Sequence, residues 1–274
     1  MTGEADGFSP RLTLQGSALL QVWERWNLPW KMKPANPMPC WTSPHATGRH
    51  SRSSGCWELH ARKPPLRLLE VGTGSGGIAH YFAAPPTLQC EVDAVDVVDN
   101  RLVSDGYRYQ QVEGVELPFA ADTFDVVISN HVIEHVGDAQ AQARHLGEIH
   151  RVMRPDGVGY LAVPNRWMLT EPHYRLKFLS WWPRRLRSPY LRLMGKGTFY
   201  DCEPLQMRPL ERMLETTGFR ARNLCVAALR DTFEIERPES RAARLLRRIP
   251  DWILHPLRRI IPTLIYRIER NQTH

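Results

Sequence analysis

Between Leu66 and Val163 the chain alternates short aliphatic runs with stretches whose apolar residues recur every three or four positions. Runs of the first kind predict strands buried on both faces, and the second pattern predicts helices packed over them. A first strand rises from Leu66 through Glu70 and Val71 and breaks into the glycines of Gly72-Thr73-Gly74-Ser75-Gly76-Gly77. A helix over Ile78 to Ala83 follows, ended by Pro85-Pro86. Strands are expected over Glu91 to Asp96, Tyr109 to Val112, Val126 to Asn130 and Gly159 to Val163. A helix from Gly137 to Arg154, with Leu146, Ile149 and Met153 on one face, is closed by Pro155-Asp156-Gly157. This order predicts an α/β fold with a doubly wound, mainly parallel sheet.

Outside that core the pattern changes. In residues 1–65, Leu19, Val22, Trp23 and Trp26 fall at helical spacing, and a loop-rich linker from about Asn27 to Pro65 has no period. Its Cys40, His45, His50, Cys56 and His60 lack the close Cys pair that opens structural zinc modules, so no metal site is expected. The core is expected at 66–165, an inserted acceptor cap at 166–208, the end of the core at 209–235, and a basic amphipathic helical tail at 236–274. The insert is too long and too aromatic for a simple connection, and such loops are usually lids or binding surfaces.

Charge adds a question about partners. The chain has 274 residues, a formal net charge of +7 and a pI near 9.4. Its basic excess is concentrated in Arg184 to Arg192 and Arg241 to Arg270, interleaved with large apolar residues. Two readings stand together: an anionic membrane surface that receives the tail, or helix faces that are solvated or docked on the core. No apolar run reaches membrane-spanning length, and Met1 to Pro10 lack the basic-then-apolar order of a secretory signal. Five cysteines without paired spacing fit reduced thiols. These features predict a cytoplasmic protein, peripheral to the membrane if the tail binds one.

The glycine turn is where chemistry is expected. Glycines allow positive φ and close approach of the backbone to a ligand, and the N–H groups of the next helix face it. Gly72, Gly74 and Gly77 fit a dinucleotide fingerprint, whereas Glu70, Gly72, Gly74 and Gly76 fit an S-adenosylmethionine site. The carboxyl group of Glu70 favours the second, because an acid repels a pyrophosphate and attracts a sulfonium. Asp96, closing the second strand about 20 residues on, is placed to accept from ribose hydroxyls. Glu113 is placed to accept from an adenine amino group, with the Gly114 backbone near the ring.

The stretch from Leu66 to Val163 resembles the class I S-adenosylmethionine-dependent methyltransferases, most closely the branch that includes quinone-biosynthesis enzymes. The resemblance rests on Glu70 to Gly76, Asp96, Leu117-Pro118-Phe119, Phe124-Asp125-Val126-Val127, Glu134-His135 and Arg154-Pro155-Asp156-Gly157. It implies a seven-stranded Rossmann-like sheet ending in an antiparallel hairpin, here sought within Phe219 to Leu229. It also implies a donor site of Glu70, Gly72, Thr73, Gly74, Gly76, Asp96, Val97, Glu113, Gly114 and Asn130, the last near the sulfonium. The run between Asp96 and Tyr109 is too short for the usual helix. Pro164-Asn165-Arg166-Trp167 and Glu171-Pro172-His173-Tyr174 resemble a bacterial subgroup, some of it linked with glycan assembly.

Methyl transfer to a hydroxyl needs a place for the proton, and His135 and His173 are the candidates because imidazole titrates near neutrality. Glu134 is placed to orient a histidine or to join a divalent cation. The expected acceptor is a small, glycan or lipid-linked hydroxyl. Alternatives are RNA methylation, for which Ser129-Asn130-His131-Val132 lacks the Asn/Asp-Pro-Pro-aromatic run of base-amine enzymes, an NAD-dependent oxidoreductase, and a donor-binding scaffold without turnover.

Overall fold

The computed structural model of the chain describes residues 65–84, 90–171, 174–200, 202–236 and 238–271. The Trp23 helix, the linker with its Cys and His residues, and His173 lie outside the described residues.

Five parallel strands carry the core: β1 (Leu66–Val71), β2 (Cys90–Asp96), β3 (Arg108–Gln111), β4 (Phe124–Asn130) and β5 (Met153–Pro164). A two-stranded antiparallel hairpin, β6 (Thr170–Glu171) with β7 (Leu176–Lys177), stands apart from them. Two more strands, β8 (Phe219–Asn223) and β9 (Thr263–Arg270), complete a seven-stranded sheet in the order β3-β2-β1-β4-β5-β9-β8. Of these, β9 runs antiparallel to both its neighbours.

Helices cover both faces, as the near-continuous apolar strands require. On one face α1 (Gly77–Ala83) buries Ala79 and Phe82 against Leu68, Val126, Ile128 and Tyr160. On the other, α2 (Ala139–Val152) contributes Leu146 and Ile149 against Leu69, Val127 and Leu161. Asp138 caps α2, its side chain accepting from the Ala141 N–H at 2.9 Å. The insert carries α3 (Arg184–Leu193), and Leu210 and Leu214 of α4 (Met207–Thr216) join the second face. Then come α5 (Cys225–Glu236), α6 (Arg241–Arg248) and the short α7 (Asp251–Leu254).

Three expectations are corrected. Helix α2 stops at Val152, so Met153 and Arg154, expected in the helix, and Pro155 to Gly157, expected to close it, already belong to β5. The segment Phe219 to Leu229 is not a hairpin, because the chain leaves β8 directly into α5 and β8 pairs with β9 instead. The tail is therefore not helical to its end, and the core does not finish at residue 235. In β9 the alternating Leu264, Tyr266 and Ile268 are at most 1% exposed, each contributing roughly 1.5–3 kcal/mol of burial. That makes β9 part of the core. Gly159 makes room for it, since a Cβ there would lie 2.5 Å from Ile268 Cγ1.

Between β2 and β3 no helix forms, as the short spacing implied. The loop instead folds back on the glycine turn, with the Leu102 and Val103 N–H groups donating to the Ser75 carbonyl at 2.9 and 3.1 Å. No helix among the described residues is long and apolar enough to cross a membrane.

Candidate active site

The glycine turn leaves β1 at its carboxyl end, where ligands bind in open α/β sheets. Gly72, Gly74 and Gly76 have φ of 77°, 52° and 82°, a region that side chains disfavour. At Gly72 a Cβ would lie 2.2 Å from Val132 Cγ2, and at Gly76 it would lie 2.1 Å from the Val103 carbonyl oxygen. Those two glycines bring the β4 loop and the β2–β3 loop against the turn. Gly74 is different, with nothing within 4 Å of its notional Cβ, so its face is open for a ligand. The Gly72 and Thr73 N–H groups donate to the Val95 carbonyl, locking the turn to the end of β2.

Asp96 faces this opening. Its Oδ2 accepts from the Gly74 N–H at 2.8 Å and its Oδ1 from the Val97 N–H at 2.7 Å. The Val98 N–H also donates to Oδ1, at 3.4 Å, and since a carboxylate has about four acceptor sites, roughly one is left for a ligand hydroxyl. Val97 itself is exposed beside it.

Glu70 behaves otherwise than the sequence implied. It is 1% exposed, and its Oε2 accepts from the Ala79 N–H in the first turn of α1 at 3.0 Å. Burial first, with the charge of Asp96 added, pushes its pKa up to about 8 despite the Ala79 hydrogen bond. It is largely neutral at pH 7 and braces the turn from beneath. A neutral Glu70 weakens the discrimination between sulfonium and pyrophosphate expected from its charge.

Glu113 and Gly114 lie exposed in the loop after β3, with Gly114 at φ 70°. The loop is anchored farther on by a clamp that the sequence did not reveal. Arg151 of α2 donates to the Leu117 and Phe119 carbonyls at 2.8 and 2.7 Å, and Glu148 accepts from the Leu117 N–H at 2.9 Å. Arg151 in turn holds the Glu148 carboxyl below its usual pKa.

Asn130 ends β4, and the next residues turn sharply. His131 takes φ 58°, a strained conformation for a residue with a Cβ, of the kind that collects at functional sites. Its N–H is fixed to the Ala162 carbonyl at 2.9 Å. The strain brings its Nδ1 to 3.3 Å from Glu134 Oε1, with the imidazole about one third exposed and the Glu134 side chain fully buried. Neither carboxyl oxygen of Glu134 has a hydrogen-bond partner among the described residues, which leaves His131 as its polar neighbour in the cleft. Beneath lies His145, within 3.3 Å of Ser129 Oγ, where burial lowers its pKa to about 4 against the opposing pull of Glu134.

Glu134, expected to orient a histidine, has the His131 imidazole as its near neighbour. His135 is exposed on the short 3-10 turn Ile133–His135, 3.9 Å from Cys202 Sγ of the insert. The insert closes over this turn, for the Glu203 N–H donates to the Glu134 carbonyl at 3.0 Å. It has its own small core of Leu176, Leu179, Leu191, Tyr200 and Cys202. Arg187, 1% exposed, is bound to the Trp182 carbonyl at 2.9 Å and to Glu203 at 3.4 Å. No cluster of three His, Cys, Asp or Glu side chains among the described residues has the arrangement of a metal site.

Residues 69–161, the glycine turn through β5, match the family model described as "Methyltransferase domain". The core of this chain is a class I S-adenosylmethionine-dependent methyltransferase domain. Its cofactor is accordingly S-adenosylmethionine, and the dinucleotide alternative falls away. The open face of Gly74 and the spare acceptor capacity of Asp96 fit that group. Among relatives, a probable tRNA methyltransferase 9B of Mus musculus is 26% identical over 59% of this chain and 36% of its own length. A probable S-adenosylmethionine-dependent methyltransferase of Mycobacterium tuberculosis is 36% identical over 36% of each chain. A ubiquinone biosynthesis O-methyltransferase of Parvibaculum lavamentivorans is 30% identical over 42% of this chain and 48% of its own. The chain thus spans about a third of the length of the first two and about half of the third.

Proposed function

We propose that the whole protein transfers a methyl group from S-adenosylmethionine to a hydroxyl oxygen of a small, glycan or lipid-linked acceptor held beneath the insert. In this reading Gly72, Thr73, Gly74 and Gly76 cradle the donor. Asp96, with Val97 beside it, holds the ribose, Glu113 and Gly114 border the adenine, and Asn130 lies near the sulfonium. When bound, S-adenosylmethionine supplies an electrophilic methyl carbon. The protein's task is to hold the acceptor oxygen in line with it and to keep water out, which is worth roughly 7–11 kcal/mol.

The observation that carries the oxygen acceptor is the His131–Glu134 pair. A hydroxyl must give up a proton as it is alkylated, and an imidazole with a buried carboxyl group 3.3 Å from its Nδ1 has a neighbour that favours taking that proton at Nε2. His135, facing the insert through Cys202, borders the acceptor side. The role expected of His135 as base passes in this proposal to His131.

The test is a transfer assay with donor labelled in its methyl group, run against extracted quinones, glycans, lipids and tRNA. Label recovered as an O-methyl ether, and lost in His131→Ala while donor affinity is kept, supports the reading. Label in a base or an amine, or undiminished transfer by His131→Ala, overturns it.

A further inference from the structure

At the outlet of the sheet, two segments rich in large apolar side chains and arginines are joined. Antiparallel β9 begins at Thr263 opposite Pro164, the last residue of β5. The segment leading into β9 therefore crosses the carboxyl edge of the sheet, the edge that carries the glycine turn. It is held there by Asn165, which is fully buried. The Asn165 N–H donates to the Pro262 carbonyl and its Nδ2 to the Arg259 and Ile261 carbonyls, all at 2.8 Å, while Oδ1 accepts from the Trp167 N–H at 3.0 Å. One side chain thus stitches the start of the insert to the tail.

What this seam presents outward is unusual for a soluble surface. On the insert side, Trp167, Phe178 and Trp181 meet edge to face and are 39%, 44% and 38% exposed. On the tail side, Leu257 and Ile260 remain exposed, and Trp252 of α7 is 72% exposed. Interleaved with them stand Arg166, whose guanidinium lies over Trp167, and Arg258 and Arg259. From Arg241 to Ile260 the sequence has six arginines and a single acid, Asp251, which is paired with Arg230. Large exposed apolar patches mark interaction sites. Indole rings and aliphatic side chains set among arginines match the headgroup layer of an anionic bilayer. A nucleic-acid face would stack its aromatics on bases but would have no use for exposed Ile and Leu.

We propose that this seam, Trp167, Phe178 and Trp181 with Trp252 to Ile260, docks the protein on the surface of an anionic lipid bilayer. Docked this way, the donor edge faces the membrane, so an acceptor embedded in the bilayer reaches the cleft without leaving it. The docking does not depend on the methyl chemistry, and its failure would leave the donor site intact.

The test is sedimentation of the full chain with vesicles of phosphatidylcholine alone and of phosphatidylcholine with phosphatidylglycerol. The tail cannot simply be deleted, because β9 belongs to the core. The variants are therefore the surface changes Arg258→Glu with Arg259→Glu, and separately Trp252→Ser with Ile260→Ser. Calorimetry with S-adenosylhomocysteine monitors the donor site of each. The expected result is pelleting with the anionic vesicles only, weakened by salt, and reduced about 10-fold or more by the charge reversal and measurably by the apolar pair. No pelleting with anionic vesicles, or equal pelleting of both variants and the parent, overturns the proposal. So does a charge-reversed variant that loses tRNA binding in a filter assay while vesicle binding is unchanged. An apolar pair that instead dissolves a dimer in sedimentation velocity, with vesicle binding unchanged, overturns it too.

Discussion

The two sides of the cleft are built by opposite means. On the donor side, from β1 to the end of β2, nearly every polar group is spoken for: Glu70 by Ala79, Gly72 and Thr73 by Val95, Gly74 by Asp96. Backbone geometry makes that site, and the side chains that matter are small or buried. On the side where we propose that the acceptor enters, aromatic and basic side chains stand on a short hairpin, the 3-10 turn Leu179–Trp181 and the seam held by Asn165, with much of their surface exposed. A site that binds one invariant small molecule can be made rigid. A site facing a bulky or embedded acceptor must leave large side chains uncovered.

Four substitutions sharpen that contrast, beginning with the largest effect. Gly72→Val drives a side chain into Val132 and requires a left-handed backbone at a β-branched residue, so calorimetry should show at least ~100-fold weaker S-adenosylhomocysteine binding. Asp96→Ala removes a charged acceptor and frees the Gly74 N–H, and is expected to weaken the same binding roughly 10- to 100-fold. If either leaves donor affinity intact, the rigid-site picture fails. Asn165→Ala leaves part-buried carbonyls of the seam without their donor and should lower unfolding free energy by about 1–3 kcal/mol, read by urea titration, with donor affinity hardly changed. Coupled loss of donor affinity would show that the two sides are not separate.

The smallest effect is a pH dependence. Glu70 has a folded pKa raised to about 8 from an ordinary 4.5, so between those values the native state holds a proton that the unfolded chain has released. Its contribution to stability therefore falls as pH rises from about 4.5 to 8. His145 works in the opposite sense: its folded pKa is depressed to about 4, so stability falls as pH drops from 6.5 toward 4. Glu70→Gln should flatten the alkaline limb of a Tm-against-pH curve by a few degrees and leave the acid limb in place. An unchanged alkaline limb would mean that Glu70 is ionised, restoring the charge argument for the donor.

The donor half was legible in the sequence because its determinants are local. A strand, a glycine turn and an acid after the next strand are contiguous patterns, and they fix the fold class and the placement of Asp96 beside the turn. What was hidden depends on distant partners. The charge of Glu70 could not be read without knowing its burial. The pairing of Glu134 with His131 comes from the strained φ of His131, which no residue type announces. Strand β9 did leave a trace, since Leu264, Tyr266 and Ile268 alternate with Ile265, Arg267 and Glu269, but the basic run before it favoured a helical reading. Asn165 stood in a quoted motif, yet its carbonyl partners lie almost a hundred residues away.

Strand β9 also sets a schedule for the nascent chain. It sits between β5 and β8, yet the ribosome makes it last of the three, after the whole insert, α4 to α7 and the arginine-rich run. At ~5–20 residues per second, β5 waits roughly 5–20 s with one edge unpaired. Through that interval Leu161 and Val163 lack their eventual neighbours, and a chaperone or a premature strand partner has its opportunity there.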